Sequence, residues 1–156
     1  MSFWLEQAVQ FVVAMLATMC FGLTFNVDKR HFIACGLTGA VGWLVYCIAN
    51  GLLGLSAPAA TLLAALPLTA AARLFAIRHR APVTVFLLCG IFPLVPGAGI
   101  YWTAYYLVTG QMGQAVSSGF VAVKAAIAIV LGIVFVFEIP NRFFHLQEKW
   151  KKTAAH

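Results

Sequence analysis

The residues of this sequence that are best suited to binding a ligand lie where a long apolar run is interrupted. We call this segment the break; it reads Pro93-Leu94-Val95-Pro96-Gly97-Ala98-Gly99. Because proline has no N–H, Pro93 and Pro96 are expected to leave the carbonyls of Cys89 and Phe92 without helical partners. Freed backbone within a membrane is tolerated only where protein or a water-filled cavity satisfies it, and transporters build substrate sites at such places. The break therefore indicates a membrane transport component.

The break also has a polarity that suits an anion. Residues 97–100 would form the first turn of a second half-helix, whose unpaired N–H groups lie at the positive end of the helix dipole. Gly97 and Gly99 would let a ligand approach the backbone closely. The structural alternative is a proline kink packed against neighbouring helices. Two prolines followed by Gly-x-Gly favour a substrate site, which we expect to include Pro93, Pro96, Gly97, Ala98 and Gly99.

Lys124 is the charged residue that lies deepest within an apolar segment. An unpaired ammonium there costs about 2.5–3.5 kcal/mol on insertion scales, so we expect Lys124 to face the bundle interior and to find a partner. The candidate partners are carbonyls freed at the break, a carboxylate of a companion subunit, and the carboxylate of an anionic substrate. The alternative is a lysine that snorkels outwards or lies at a subunit contact. Arg73 lies near the end of its segment, where we expect it to snorkel.

Two aromatic pairs follow the break at helical spacing. Tyr101 and Tyr105 share one helix face, and Trp102 and Tyr106 share another. One pair is expected to line a pathway while the other packs or lies in the aromatic belt at the membrane surface. The spacing leaves open which pair does which, and we include Tyr101 and Tyr105 among the candidate substrate-binding residues.

No other chemistry is indicated by the sequence. The four cysteines lack metal-ligand spacing, and there is no Walker loop, dinucleotide fingerprint or HExxH motif. The four acidic residues are all predicted near the membrane surfaces; they are Glu6, Asp28, Glu138 and Glu148. The sequence therefore predicts a protein that is not an enzyme and needs no metal or cofactor. A protonatable carboxylate or histidine, which a proton-coupled carrier usually holds in its core, is expected on another polypeptide.

The composition requires membrane-spanning helices to position these residues. The chain is 63% hydrophobic and 9% charged, with a mean hydropathy of +0.96. Five apolar segments have the roughly 20 residues that a span needs, and the fourth is long enough to require a kink or two half-helices. They cover about Phe3–Phe25, Phe32–Leu53, Ala57–Ile77, Pro82–Val108 and Ala115–Ile139. We expect an all-α integral membrane protein with about five transmembrane helices, the fourth broken at a Pro-x-x-Pro-Gly motif.

The basic residues give the predicted orientation. With five crossings, the basic pairs Lys29-Arg30 and Arg78/Arg80 and the basic C-terminal region all fall on one side. The positive-inside rule makes that side cytoplasmic, so that the N-terminus is outside and the C-terminus inside a cell (inner) membrane. Anchoring at this surface explains the net charge of +6 without a nucleic-acid partner. Residues 1–140 are predicted to form the transmembrane domain and residues 141–156 a basic, aromatic cytoplasmic tail.

Three stretches of this sequence resemble the C-terminal-type domain of the threonine/serine exporter family. The first two are Phe21-Gly22-Leu23-Thr24-Phe25-Asn26-Val27 and, after the basic residues, Gly36-Leu37-Thr38-Gly39-Ala40-Val41-Gly42-Trp43. The third is Pro93-Leu94-Val95-Pro96-Gly97 with Tyr101 following, and it resembles the most recognisable element of that family. The resemblance extends from about Trp4 to Pro140. The glycines of the second stretch also predict a surface for close helix packing.

The resemblance implies an exporter of small metabolites that is driven by an ion gradient rather than by ATP. Some members fuse two membrane domains, whereas others divide them between a larger and a smaller protein, and this chain is similar to the smaller one. The implied substrates are threonine and serine or, for the divided pairs, succinate and related dicarboxylates. The implied partners are the larger membrane subunit, the lipid bilayer and the substrate. A non-transporting accessory subunit and a self-sufficient homo-oligomeric carrier or channel are the alternatives.

Overall fold

A computed structural model describes residues 3–140, and these residues form six α-helices without any β-strand. Two short 3₁₀ turns, Lys29–His31 and Phe92–Leu94, precede α2 and follow α4. The helices are α1 (Phe3–Thr24), α2 (Phe32–Gly51), α3 (Ala57–His79), α4 (Val83–Ile91), α5 (Gly97–Val108) and α6 (Met112–Glu138). The predicted all-α class, the five apolar segments and the position of the break are confirmed. The tail predicted over residues 141–156 lies outside the described residues.

Four of these helices, α1, α2, α3 and α6, are long and apolar enough to cross a membrane. The stretches Val83–Leu94 and Gly97–Val108 meet at a bend of 51° and together make a fifth candidate span. Because proline cannot donate a helical hydrogen bond, the chain turns where Pro93 and Pro96 lie. The broken fourth segment of the sequence is therefore present as α4, the Phe92–Leu94 turn and α5.

Helix α2 packs against α1, α3 and α4, and small residues allow each close approach. A Cβ atom added to Gly36 would lie 2.8 Å from the Cγ of Met19 in α1, and one added to Gly42 would lie 2.5 Å from a methyl group of Leu68 in α3. Thr38 of α2 fills the space beside Gly90 of α4. Of the glycines predicted to form one packing surface, Gly36 and Gly39 therefore face α1, whereas Gly42 lies further around the helix and faces α3.

The loop that precedes α2 meets the end of α3 at one end of the bundle. His31 and His79 have ring centroids 5.2 Å apart, and the ring of Phe86 in α4 lies 5.5 Å from that of His31. Lys29, Arg30, Arg78 and Arg80 flank this contact in the sequence. The first two basic clusters therefore share one end of the molecule, as the charge pattern predicts. That this end faces the cytoplasm stays a prediction.

Arg73 joins the ends of α3 and α6. Its guanidinium donates hydrogen bonds to the carbonyl oxygen of Val136 and, at 3.0 Å, to that of Ile139. The residue is only 8% exposed, so the expectation that it snorkels to the surface is wrong. The last carbonyls of a helix lack intrahelical partners and carry its negative dipole end, which makes them a favourable site for an arginine. Arg73 therefore caps α6 from within the bundle.

The contact between α3 and α6 depends on Gly132. A Cβ atom at this position would lie 2.5 Å from the Cβ of Ala65, which cannot move away without a shift of the α3 backbone. We expect Gly132→Ala to lower the free energy of unfolding by about 1–3 kcal/mol, the usual cost of overpacking. The measurement is unfolding in mixed detergent micelles titrated with a denaturing detergent.

Gly113→Ala is the matched control for this substitution. It lies in the same helix, and a Cβ atom there would meet nothing within 4 Å. We expect Gly113→Ala to leave the free energy of unfolding unchanged or to raise it slightly, because alanine favours helix over glycine. Equal unfolding free energies for the two variants would contradict the assigned packing.

Candidate functional site

The backbone of the break satisfies part of its own hydrogen-bonding requirement. The N–H of Val95 donates to the carbonyl of Phe92 at 3.1 Å, and the N–H of Gly97 donates to the carbonyl of Val95 at 2.7 Å. Pro96 thus removes the α-helical partner of the Phe92 carbonyl, and the N–H of Val95 takes its place. This is a 3₁₀ hydrogen bond, in which the donor lies three residues after the acceptor, whereas in an α-helix it lies four residues after it.

The first turn of α5 supplies backbone donors at the break. Its first helical bond joins the N–H of Ile100 to the carbonyl of Pro96 at 3.0 Å. Within residues 3–140, no backbone acceptor is assigned to the N–H groups of Ala98 and Gly99. A Cβ atom added to Gly97 would meet nothing within 4 Å. The start of α5 therefore has N–H groups without backbone partners, where the helix dipole is positive.

The start of α5 lines a cavity of about 460 Å³, which we call the α5 cavity. Residues 93–99 form one side, α2 and the start of α3 form a second, and α6 forms a third. The lining residues outside the break are Trp43, Tyr46, Ala57, Thr61, Val121, Ala122 and Ala125. None of the lining side chains is charged. The cavity can therefore hold a small molecule whose charged group is met by backbone N–H groups.

A second cavity of about 220 Å³, the α1 cavity, lies between α1 and the break. Trp43 and Pro93 line both cavities and so lie between them. Phe21 and Phe92 line the α1 cavity and stack with ring centroids 4.1 Å apart. A continuous path between the two cavities would therefore require Trp43 or the break to move.

Trp43 is held in place by two neighbours. Its indole N–H donates a hydrogen bond of 2.9 Å to the Oε1 of Gln10 in α1. Its ring stacks on Tyr46, one helical turn further along α2, with centroids 5.3 Å apart. The partition between the cavities is therefore fixed by a polar contact between α1 and α2 together with an aromatic contact within α2.

The structure brings five of the eight predicted site residues together in the α5 cavity, and these are Pro93, Pro96, Gly97, Ala98 and Gly99. Tyr101 and Tyr105 do not line it. They stack with centroids 6.5 Å apart and are 62% and 44% exposed. Helix α5 has no buried residue, since it packs mainly on α6 and bends away from the rest of the bundle.

Lys124 also lies outside the α5 cavity. It is exposed on α6, and its ammonium lies 4.4 Å from the centroid of the Phe120 ring. The expectation that it faces the interior of the bundle is therefore not met within this chain. The lining residues Ala122 and Ala125 occupy the inward face of the same helix, so Lys124 points elsewhere.

Sequence reasoning missed the residues of α2 and α3 that complete the cavity. Trp43 and Tyr46 are ordinary residues for a membrane helix, and no spacing rule relates them to the break between α4 and α5. A usable signal was present in α1, where Gln7 and Gln10 are polar side chains in an apolar helix. Such residues need partners in a membrane, and Gln10 finds one in Trp43.

The contact between Gln10 and Trp43 gives a prediction with a matched control in the same helix. Gln10→Leu removes the acceptor of the indole N–H, whereas Gln7→Leu removes an Oε1 that is buried without a hydrogen-bond partner. We expect Gln10→Leu to lower the free energy of unfolding by about 0.6–1.7 kcal/mol, the range for side-chain hydrogen bonds between membrane helices. Gln7→Leu should leave it unchanged or raise it. Detergent-titrated unfolding measures both, and the reverse order would contradict the assignment.

The comparisons with known proteins place this site within a family. A family model described as "Threonine/Serine exporter, ThrE" matches residues 10–139, which include the break and every residue that lines the two cavities. No curated protein and no solved structure gives a significant match. The match covers most of the chain and agrees with the resemblance of the glycine-rich and Pro-x-x-Pro-Gly stretches. The chain belongs to the threonine/serine exporter family and is a multi-pass membrane protein of transporter type.

Proposed function

We propose that this chain is the smaller membrane subunit of a secondary exporter of small metabolites and that the α5 cavity binds the substrate. The substrates are threonine and serine or succinate-like dicarboxylates, and the membrane is the inner, cytoplasmic one. The observation that carries the proposal is the break, whose residues line a cavity of about 460 Å³ within the family-matched residues and include N–H groups without backbone partners. A cavity of this size suits a metabolite of a few carbon atoms.

The chemistry of the cavity supports a carboxylate as the recognised group. Threonine, serine and succinate all carry at least one carboxylate. The first turn of α5 offers N–H groups at the positive end of a helix dipole, which stabilises an anion. A small substrate can reach them, because Gly97 has no side chain and nothing lies within 4 Å of its Cβ direction. The α5 cavity thus supports recognition of the group that the candidate substrates share.

The distribution of charge supports a second subunit. The acidic residues among residues 3–140 are Glu6, Asp28 and Glu138; Glu6 lies in the first turn of α1, Asp28 before α2 and Glu138 at the end of α6. None lines either cavity. A carrier coupled to an ion gradient uses ionisable groups within its core. We therefore assign those groups to a larger membrane partner, which would share the translocation path with this chain.

Gly97→Leu tests the substrate site. Gly97 lines the α5 cavity, and a larger side chain there would not strike a neighbour, because nothing lies within 4 Å of the new Cβ atom. We expect efflux of labelled threonine or succinate from cells that express the intact system to fall by about tenfold or more, corresponding to about 1.4 kcal/mol of lost binding. The amount of the protein in the membrane should not change.

Gly113→Leu is the control. A Cβ atom added to Gly113 would also meet nothing within 4 Å, and Gly113 lies in the first turn of α6, outside both cavities. Efflux should stay within about twofold of the unsubstituted protein, a change of under 0.5 kcal/mol. Normal efflux with Gly97→Leu would favour an accessory role. Efflux from vesicles that contain this chain alone would favour the homo-oligomeric carrier and contradict the need for a partner.

A further inference from the structure

Lys124 occupies a position that the bundle itself does not explain. At a rise of 1.5 Å per residue, Lys124 lies about 18 Å along the helix axis from Met112, the first residue of α6. The whole of α6 is about 40 Å long. The hydrocarbon core of a membrane is about 30 Å thick. Lys124 therefore lies near the middle of a helix that crosses it, with its side chain directed away from the bundle.

The contacts of Lys124 leave its charge uncompensated. Its ammonium lies over the ring of Phe120, one turn nearer the start of α6. The ion pair found among residues 3–140 joins Arg30 to Asp28, far from this position. A cation over an aromatic face is attracted to it but remains a full positive charge. A charge on a lipid-facing surface is costly, and intramembrane ionisable residues are therefore usually paired.

Lys124 belongs to a row of exposed residues with the spacing of a helix-packing surface. We call this row the Lys124 stripe; successive members are three and four residues apart, and they are Ser117, Phe120, Lys124, Ile127, Leu131 and Val134. A spacing that alternates between three and four residues places these side chains along one side of the helix. A second helix that crosses at the shallow angle common in membranes can pack along that side. The face of α6 that carries Ala125 and Gly132, about a quarter turn around the helix from Lys124, is already covered by the bundle. A polar residue on such a packing surface selects the register and identity of the neighbouring helix.

We infer that the Lys124 stripe docks a transmembrane helix of a different polypeptide, and that this helix carries an aspartate or glutamate at the depth of Lys124. Charge complementarity identifies the occupant, because a carboxylate is the side chain that compensates an ammonium in hydrocarbon. The inference deepens the proposed function and rests on it for the existence of a partner. It adds the surface and the contact by which that partner is held.

A second copy of this chain does not fit the stripe. Copies inserted in the same direction place equivalent residues at equal depth, so the acid facing Lys124 would have to lie at mid-helix. The carboxylates of residues 3–140 lie elsewhere, with Glu6 in the first turn of α1, Asp28 before α2 and Glu138 at the end of α6. None of these carboxylates would face Lys124 in such a copy, so we assign the compensating acid to another protein.

Photo-crosslinking in the native membrane tests the docking surface. A benzophenone amino acid replaces Phe120 or Ile127 on the stripe and, as matched controls, Val123 or Val130 on a neighbouring exposed face of α6. We expect the stripe positions to give protein adducts with about tenfold higher yield than the controls. Mass spectrometry should locate each adduct in a membrane helix that carries Asp or Glu within one turn of the attachment point.

Charge substitution then tests the pairing itself. Lys124→Arg should retain the adduct, whereas Lys124→Glu should reduce its yield by about tenfold. When Lys124→Glu is combined with a lysine in place of the partner's acid, the yield of the adduct should return. Lys124→Leu serves where Lys124→Glu fails to insert, since leucine is compatible with lipid. It should also weaken the adduct while the purified chain remains helical and monodisperse.

Several results would overturn the inference. These are adducts with lipid alone, adducts with a second copy of this chain, a cross-linked helix without an acidic residue, and a yield that Lys124→Leu does not change. Gly97→Leu separates this inference from the proposed function, because it blocks the cavity and should leave the adduct intact. Normal adducts together with efflux that Gly97→Leu does not impair would count against the substrate site alone.

Discussion

The structure depends on how backbone polar groups are satisfied where the fourth span is broken. In hydrocarbon an unpaired N–H or carbonyl is costly, so a break must supply its own partners or open into a polar space. Pro93 and Pro96 reduce the number of N–H groups that need partners, because they have none. The turn from Phe92 to Val95 satisfies one freed carbonyl, and the bond from Gly97 to Val95 satisfies another. What remains exposed is the first turn of α5, which faces the α5 cavity.

Close packing of the neighbouring helices keeps the break in place. Leu94, which is 5% exposed, packs with Leu68 of α3 and Ile129 of α6 and so anchors the break in the core. Gly90 presses α4 against Thr38 of α2. With α4 fixed by these contacts, the bend directs α5 towards α6, where Gly99 lies beside Ala122. A span that was merely kinked and surrounded by lipid would have no such enclosure on three sides.

Much of this arrangement could be predicted from the sequence, because it follows from local properties. Segment lengths follow from hydropathy, and the break follows from the two closely spaced prolines Pro93 and Pro96 with the glycines after them, whereas the single Pro67 lies inside the continuous helix α3. The direction of Lys124 could not be predicted, because it depends on which face of α6 meets α3 and α5. The role of Trp43 depends on the contact between α1 and α2 and on the position of α4. Arg73 was misjudged because its partners, the last carbonyls of α6, are more than 60 residues away along the chain.

The placement of charge separates two tasks within this small protein. Arg73 lies inside the bundle, where the ends of carbonyl dipoles stabilise it and where it holds α3 and α6 together. Lys124 lies outside the bundle, where lipid cannot stabilise it. The α5 cavity has no charged side chain in its lining, so a bound anion would meet only dipoles and would not be trapped by a fixed opposite charge. A carrier must release its substrate as well as bind it, and a site built from N–H groups favours that exchange. The strong charges that we assign to ion coupling can then lie on the partner proposed to dock at the Lys124 stripe.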